Sequence, residues 1–296
     1  MERVGVIDLH MHSTVSDGTD TPEELLALAR GAGLSLFSVT DHDAIRGCVQ
    51  ILDALKPGDP RFIPGAEFSC RDEEGKYHIL GYSYDPEAEG IRRVVELGHG
   101  YRMFKIRARL DFLRSEFGVT FPPEELEALL AMPNPGKPHI GNLMVKYGFA
   151  RTREDAIRNY IDRVRFREQH VRPEEAIRGI LDSGGIPVLA HPIYGDGDQM
   201  ILGEELESRV RRLMEFGLQG LEGYYFELPD RLRQAVLSLA ERYGLFVTAG
   251  SDYHGANKLN VLGDTGLETA RPEGLARFLD AIRDRTGGGV SHADPV

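Results

Sequence analysis

Two histidines stand one residue apart near the amino terminus, His10 and His12, directly after the apolar run Val4–Leu9. In an extended backbone, side chains two positions apart point to the same side, so both imidazoles can reach one metal ion. Asp17 follows five residues later, just before a glycine. The stretch therefore predicts either part of a metal site or a polar strand end and turn that happen to be rich in His and Asp.

The same residue types recur after or within other apolar runs of the chain. The histidines of this kind are His10, His12, His42, His78, His191 and His254, and the acids beside them are Asp17, Asp41, Asp43, Glu67 and Asp252. Each group alone could be a turn or a helix cap, where Asp is common. Together they predict a site for several metal ions. Imidazole combined with carboxylate suits Zn²⁺, Mn²⁺ or Fe²⁺ better than Ca²⁺ or Cu⁺. We expect His99, His170 and His292 to be solvated.

Seven apolar runs predict strands, and most of them alternate with helical patterns. The predicted strands are Val4–Leu9, Ser35–Thr40, Arg61–Phe68, Tyr77–Tyr82, Gly185–Ala190, Leu218–Tyr225 and Leu245–Ala249. Such alternation predicts an α/β fold with a parallel sheet or barrel, in which the carboxyl ends of the strands converge on one face. Thr21, Pro22 and Glu24 predict a capped helix start after the first strand.

Residues 95–172 interrupt this alternation and read as helical throughout, with one helix predicted at Gly100–Phe117. We therefore expect a barrel built from residues 1–94 and 173–285, a helical insertion or cap at 95–172, and a flexible tail at 286–296. The insertion contains 14 Lys and Arg against 10 Asp and Glu, although the whole chain has a net charge of −12. A mildly basic cap over an acidic barrel could bind a phosphate group of a substrate.

Composition excludes several classes of protein. The acidic net charge disfavours stable binding of double-stranded DNA. Cys48 and Cys70 have no CxxC spacing, which argues against a disulfide framework and a cysteine zinc site. We find neither a secretory signal nor an apolar run of the ~18 residues that a membrane span needs. A cytoplasmic protein without membrane contact is the expectation.

Seven motifs in order resemble the PHP (polymerase and histidinol phosphatase) family. The motifs are DLHMHS at 8–13, SDG at 16–18, TDHD at 40–43, PGAEFS at 64–69, HILGY at 78–82, LAHP at 189–192 and GSDYHG at 250–255. Within the family, the chain is similar to the YciV-type phosphoesterases, and GKPHIG at 136–141 also resembles their insertion. The resemblance implies a distorted seven-stranded (βα) barrel with a helical insertion domain and three divalent metal ions, Mn²⁺, Fe²⁺ or Zn²⁺.

The resemblance also implies how the ligands are shared. One ion would take His10, His12, Glu67 and Asp252; a second would share Glu67 and take His78 and His191; the third would take Asp17, His42 and His254. It assigns catalytic roles to Asp17, Asp43 and His254, with Asp43 one candidate to protonate the leaving oxygen. A departure from the family is Lys137, where an arginine is usual, so any phosphate contact there would be a point charge.

The function implied is hydrolysis of a phosphate monoester by a hydroxide that bridges two ions. The expected substrate is a nucleoside 3′,5′-bisphosphate or the 5′ end of a short RNA, with Arg102, Lys137 and His139 as candidate phosphate contacts and Tyr194 or Phe166 as candidates to stack on a base. Three alternatives stay open. They are a phosphatase of another small metabolite such as histidinol phosphate, an amidohydrolase-type hydrolase, and a metal-binding or proofreading module of a larger assembly.

Overall fold

In the part of the chain that the structure describes, eight strands form two sheets. The computed structural model describes residues 6–132, 134–165, 169–194, 200–267 and 272–286. The strands are β1 (Val6–Asp8), β2 (Leu34–Phe37), β3 (Arg61–Phe62), β4 (Gly65–Arg71), β5 (Lys76–Tyr82), β6 (Ile186–Leu189), β7 (Gly220–Tyr225) and β8 (Phe246–Gly250). The order β1-β2-β3 makes a parallel sheet, and β4-β5-β6-β7-β8 makes a mixed one, in which β5 is antiparallel to both its neighbours.

This architecture corrects the predicted strand count, and a closed seven-stranded barrel is not confirmed. The predicted strand Arg61–Phe68 is two strands, β3 and β4, separated by Ile63 and Pro64. Proline has no N–H to donate to a sheet ladder, so pairing stops there. The two sheets nevertheless touch along both edges. The Leu9 N–H donates to Ala249 O at 2.9 Å, and the Asp43 N–H donates to Glu67 O at 2.8 Å.

Ten α-helices accompany the strands within the described residues. They are α1 (Pro22–Gly31), α2 (Arg46–Ala54), α3 (Glu89–Phe117), α4 (Pro123–Ala131), α5 (Lys137–Lys146), α6 (Arg153–Asn159), α7 (Pro173–Asp182), α8 (Gly203–Phe216), α9 (Asp230–Arg242) and α10 (Glu273–Thr286). The capping box predicted at the start of α1 is confirmed, with Thr21 and Glu24 each bonding to the other's backbone N–H. None of the described helices is both long and apolar enough to cross a bilayer.

Helix α3 begins at Glu89, so the predicted start at Gly100 is wrong. The early turns contain Gly90, Gly98 and Gly100, which lower helix propensity by about 1 kcal/mol each. Tertiary packing overrides that weakness, because α3 lies closely against α7: a Cβ added at Gly179 would collide with Val94. As a result, α3 runs across the predicted boundary at residue 95.

Three hydrophobic clusters hold the elements together. The largest packs both faces of the five-stranded sheet and includes Leu9, Phe68 and Phe278. A second lies between the three-stranded sheet and helices α1 and α2. The third lies within residues 106–161, where α3, α4, α5 and α6 pack on one another. The flexible tail predicted at 286–296 begins at the last residue of α10, and residues 287–296 lie outside the described residues.

Candidate metal centre

The strands of both sheets deliver histidines and acids to one place. His10 and His12 follow β1, His42 follows β2, His191 follows β6, and Asp252 and His254 follow β8, while Glu67 lies in β4 and His78 in β5. His10, His12, Glu67, Asp252 and His254 are buried. Burying an imidazole or a carboxylate costs free energy unless the group is paired or binds a metal. The contacts within the cluster must therefore offset this cost.

Glu67 lies at the centre of the cluster. Its Oε2 is 3.2 Å from His10 Nε2, 3.1 Å from His12 Nε2 and 3.2 Å from His42 Nδ1. Its Oε1 is 3.0 Å from His78 Nδ1 and 3.3 Å from His191 Nε2. Burial alone would raise the pKa of Glu67, but the facing imidazoles, led by His10, hold it well below its usual value. One carboxylate with five imidazoles around it can bridge two cations.

The ligand atoms form three overlapping groups, in each of which the atoms lie within 4.8 Å of one another. The groups are His10, His12 and Glu67; His12, Asp17, His42 and His254; and His42, Glu67 and His78. Ligand atoms at ~2.0–2.2 Å from one ion stand at most ~4.4 Å apart. Separations such as 3.1 Å from His12 Nε2 to Glu67 Oε2 and 4.0 Å from His42 Nε2 to Asp17 Oδ2 lie inside that limit. The spacing therefore suits ions held between the side chains.

The groups can be compared with the three sets implied by the family resemblance. Asp252 Oδ1 lies 3.5 Å from His10 Nε2 and 3.4 Å from His12 Nε2, beside the first group. His191 Nε2 lies 3.2 Å from His78 Nδ1, beside the third. The structure differs in placing His12 in the Asp17 group as well.

Two buried atoms indicate that the site is built for cations. Asp17 Oδ1 and His254 Nε2 have no hydrogen-bond partner among the described residues, although they lie 3.3 Å apart. An unsatisfied buried polar atom costs about 1–3 kcal/mol. A divalent cation between them would satisfy both, so these residues fit a metal centre.

The carboxylates of the cluster favour positive charge at His12 but not at every histidine. Burial lowers the pKa of His12, but the carboxylates of Asp252 and Glu67 outweigh it and raise that pKa to about 9. Asp252 is anchored from the other side, since its Oδ2 accepts from the Tyr225 hydroxyl at 2.8 Å and from Lys258 Nζ at 2.6 Å. At His42, by contrast, burial outweighs the carboxylates of Glu67 and Asp17 and lowers the pKa to about 3.

Three site residues adopt left-handed backbone conformations that only glycine adopts easily. They are Asp43 at φ 50°, His191 at φ 26° and Asp252 at φ 54°. Such conformations cost roughly 1–3 kcal/mol each and are maintained only where surrounding contacts impose them. At Asp43 the Ser69 N–H donates to Oδ1 at 3.0 Å, and Arg102 pairs with Oδ2.

Sequence reasoning missed Glu222 and understated Asp41. Glu222 is fully buried, and its carboxylate contacts His10 Nδ1 at 2.9 Å and the His191 N–H at 2.8 Å. Asp41 accepts from the Ser13 and Ser16 hydroxyls, each at 2.7 Å, which fixes the turn after His12. The sequence did contain a signal for Glu222, since it is an acid inside the apolar predicted strand Leu218–Tyr225. Asp8, at the end of β1, accepts a hydrogen bond from the Ser251 hydroxyl at 2.6 Å. This bond links the first strand to the residue that follows the last strand.

A cavity of about 450 Å³ lies between the metal cluster and the helices of the insertion. Its lining includes Asp17, His42, Asp43 and His78 on the cluster side and Arg71, Lys76, Arg102, Lys105, Arg109, Lys137, His139 and His170 elsewhere. The lining cations outnumber the acids. The prediction that His170 is simply solvated overlooked this cavity, where His170 Nδ1 lies 3.1 Å from Lys105 Nζ.

The three candidate phosphate contacts all line this cavity, and each already has a partner. Arg102 pairs with Asp43, and Lys137 Nζ lies 2.5 Å from Asp162 Oδ1. His139 Nδ1 accepts from the Gly136 N–H at 2.9 Å, and burial lowers the pKa of His139.

Of the two candidates for base stacking, the structure describes only Tyr194. Tyr194 packs against Tyr225, with ring centroids 5.8 Å apart, and it is not among the residues that line the cavity. Phe166 lies outside the described residues.

Comparison with known proteins identifies the family. The model of the PHP domain matches residues 8–231, which is most of the chain and includes the ligands from His10 to His191. The chain belongs to the PHP family. A phosphoribosyl 1,2-cyclic phosphate 1,2-diphosphodiesterase of Eggerthella lenta is 31% identical over 269 residues, covering 84% of this chain and 94% of the relative.

Two further relatives act on nucleic-acid components. A 5′-3′ exoribonuclease of Salmonella typhimurium and a 3′,5′-nucleoside bisphosphate phosphatase of Chromobacterium violaceum are each 28% identical over 84% of this chain, and the matches cover 85% and 87% of these relatives, respectively. A solved structure from Bifidobacterium adolescentis, assigned as a metal-dependent phosphoesterase, superposes with a TM-score of 0.74 at 27% identity and covers 96% of both chains. This PHP protein is a metal-dependent hydrolase of phosphate esters.

Proposed function

We propose that this PHP protein hydrolyses a phosphate monoester of a nucleotide, either a nucleoside 3′,5′-bisphosphate or the 5′ end of a short RNA. The observation that carries the proposal is the cavity of about 450 Å³, which has a histidine–carboxylate cluster on one side and an excess of Lys and Arg on the rest of its lining. A substrate with two separated anionic groups matches both surfaces. The activities for which the Chromobacterium and Salmonella relatives are named support this substrate class.

The proposed metal ligands are the cluster residues, which would hold three divalent ions, Mn²⁺, Fe²⁺ or Zn²⁺. They are His10, His12, Asp17, His42, Glu67, His78, His191, Asp252 and His254. Such ions would neutralise phosphate oxygens and lower the pKa of water, so that hydroxide would be available near neutral pH.

We propose Asp17, Asp43 and His254 as catalytic residues, and their contacts indicate what each could do. Asp17 and His254 share the group with His12 and would hold an ion at the cavity wall. Asp43 presents no free O–H to the cavity, since both of its oxygens accept hydrogen bonds, from the Ser69 N–H and from Arg102. If Asp43 is the acid for the leaving oxygen, this pair must open during the reaction.

Lys137 is our main candidate for contact with the second phosphate. Its ion pair with Asp162 is solvent exposed, at 40% and 42% of the side-chain surface. Exposed pairs contribute only about 0–1 kcal/mol, so a phosphate can compete for the ammonium group. Arg102 and His139 line the same cavity and would orient that phosphate.

We further propose that residues 1–94 and 173–285 form a distorted catalytic barrel and that residues 95–172 form a cap, with α3 running from the barrel into the cap. The separate hydrophobic cluster within residues 106–161 supports a cap with its own core. The edge contacts between the two sheets support a barrel-like arrangement. The tail proposed at 286–296 falls almost wholly outside the described residues.

A phosphate-release screen with Mn²⁺ tests the substrate. The panel contains nucleoside 3′,5′-bisphosphates, 5′-phosphorylated oligoribonucleotides, histidinol phosphate and simple monophosphates. We expect the first two classes to be preferred. Turnover confined to histidinol phosphate would support the metabolite phosphatase alternative, and no phosphate release from any member of the panel would favour the amidohydrolase alternative.

Variants on α5 test the second phosphate contact. Lys137→Ala should lower kcat/KM for a bisphosphate by roughly 10- to 100-fold, since a hydrogen bond to a charged group contributes about 1.5–3 kcal/mol. Lys146→Ala is the matched control, because Lys146 lies on the same helix in an exposed pair with Glu125 and does not line the cavity. An unchanged preference for bisphosphates in Lys137→Ala would remove Lys137 from the proposal.

A further inference from the structure

Glu222 joins two parts of the metal cluster without belonging to any of its three ligand groups. It lies in β7, is fully buried, and is followed by a register shift in the pairing of β7 with β8. Register irregularities next to active sites commonly re-aim side chains. Here the two carboxylate oxygens have different partners, one on His10 and one on His191.

The first contact selects the tautomer of His10. Glu222 Oε1 lies 2.9 Å from His10 Nδ1, while His10 Nε2 faces Glu67 Oε2 at 3.2 Å. A carboxylate can only accept, so a neutral His10 places its proton on Nδ1. Nε2 is then unprotonated and points its lone pair into the cluster, as metal coordination requires.

The second contact supports the backbone of His191. The His191 N–H donates to Glu222 Oε2 at 2.8 Å, and His191 has a φ of 26°, in the left-handed region. This conformation aims the His191 imidazole at Glu67, 3.3 Å away. Losing the acceptor would leave a part-buried N–H without its bond at a strained residue.

We infer that Glu222 is a positioning residue for the metal centre, which orients His10 through its imidazole and His191 through its backbone. Because these histidines belong to the sets proposed for two different ions, one side chain would set the affinity at both. The inference rests on the proposed metal centre but not on the identity of the substrate. Partners of this kind typically change metal affinity or activity by 10- to 100-fold.

Glu222→Gln is the informative variant, since it keeps the size of the side chain but leaves only one acceptor oxygen. If that oxygen faces His191, the amide NH₂ faces His10 Nδ1 and forces the imidazole proton onto Nε2, the atom that faces the cluster. If the amide is turned the other way, two N–H donors face each other at His191. Either orientation removes one of the two contacts.

The experiment measures Mn²⁺ binding to the metal-stripped full-length chain, by titration and by ion content after dialysis. We expect Glu222→Gln to bind Mn²⁺ 10- to 100-fold more weakly, with the circular dichroism of the metal-free protein unchanged. Glu215→Gln, at an exposed glutamate of α8, should bind like the wild type. Wild-type affinity and content in Glu222→Gln would overturn the inference.

Glu222→Asp decides the question if the Gln variant does not fold. It keeps the charge but is one methylene shorter, so it cannot reach both histidines. Weaker Mn²⁺ binding in this variant would support the inference, and binding equal to the wild type would overturn it. Phosphate release is not the readout, so a wrong substrate proposal leaves the result valid. A wild-type chain without Mn²⁺ binding would overturn both the metal centre and this inference.

Discussion

Gly250→Ala should empty part of the metal centre by displacing one histidine. Gly250 ends β8, and a Cβ added there would lie 2.5 Å from Glu222 Oε1 and closer still to His10 Cβ. Carbon–oxygen contacts relax to ~3.3 Å and carbon–carbon contacts to ~3.5–4.0 Å. The carboxylate must therefore move by about 0.8 Å and His10 by more than about 1 Å. Functional constellations tolerate only ~0.5 Å.

Overpacking of this kind destabilises a protein by about 1–3 kcal/mol. The assay is urea unfolding of the metal-free protein together with Mn²⁺ content after dialysis. Gly100→Ala is the control, because nothing lies within 4 Å of the added Cβ on α3. Alanine there should stabilise the helix by about 0.5–1 kcal/mol and leave the metal content unchanged. A Gly250→Ala protein with full metal content and wild-type stability would refute the steric argument.

Two further predictions concern sites away from the cluster. The bidentate bond from Arg30 lowers the pKa of Asp59 to about 2. This pKa lies below the value of 3.8 in the unfolded chain, so the bond stabilises the folded state at pH values above 3.8. Urea unfolding should therefore show Arg30→Gln less stable than the wild type at pH 7, with the difference vanishing as the pH falls from about 4 to about 2; a pH-independent difference would contradict this. Burial raises the pKa of the Cys48 thiol to about 12 and that of Cys70 well above its usual value. Iodoacetamide should leave both thiols unlabelled in the native protein at pH 8 and label both in urea; native labelling would show that they are accessible.

Much of the fold could be predicted because its signals are local. The capping box at Thr21 and the strand-like runs depend on residues a few positions apart, and both types of element appear where the pattern indicates. The prediction of one strand at Arg61–Phe68 was wrong, because Pro64 interrupts sheet pairing only where a neighbouring strand needs the N–H that proline lacks. The start of α3 was wrong because packing against α7 outweighs the weak propensity of three glycines.

For the site, the sequence by itself determined the chemistry. Histidines and acids at strand ends indicate metal ligation, since few other uses bring these residue types together at the edge of a buried sheet. Only the tertiary structure decided how they are connected. His12 lies within two ligand groups, Glu67 faces five imidazoles, and Lys137 is paired with Asp162. Glu222 meets His10 across 212 residues of chain. Such contacts arise when distant strands are packed side by side, and no local pattern encodes which atoms then come within hydrogen-bonding distance.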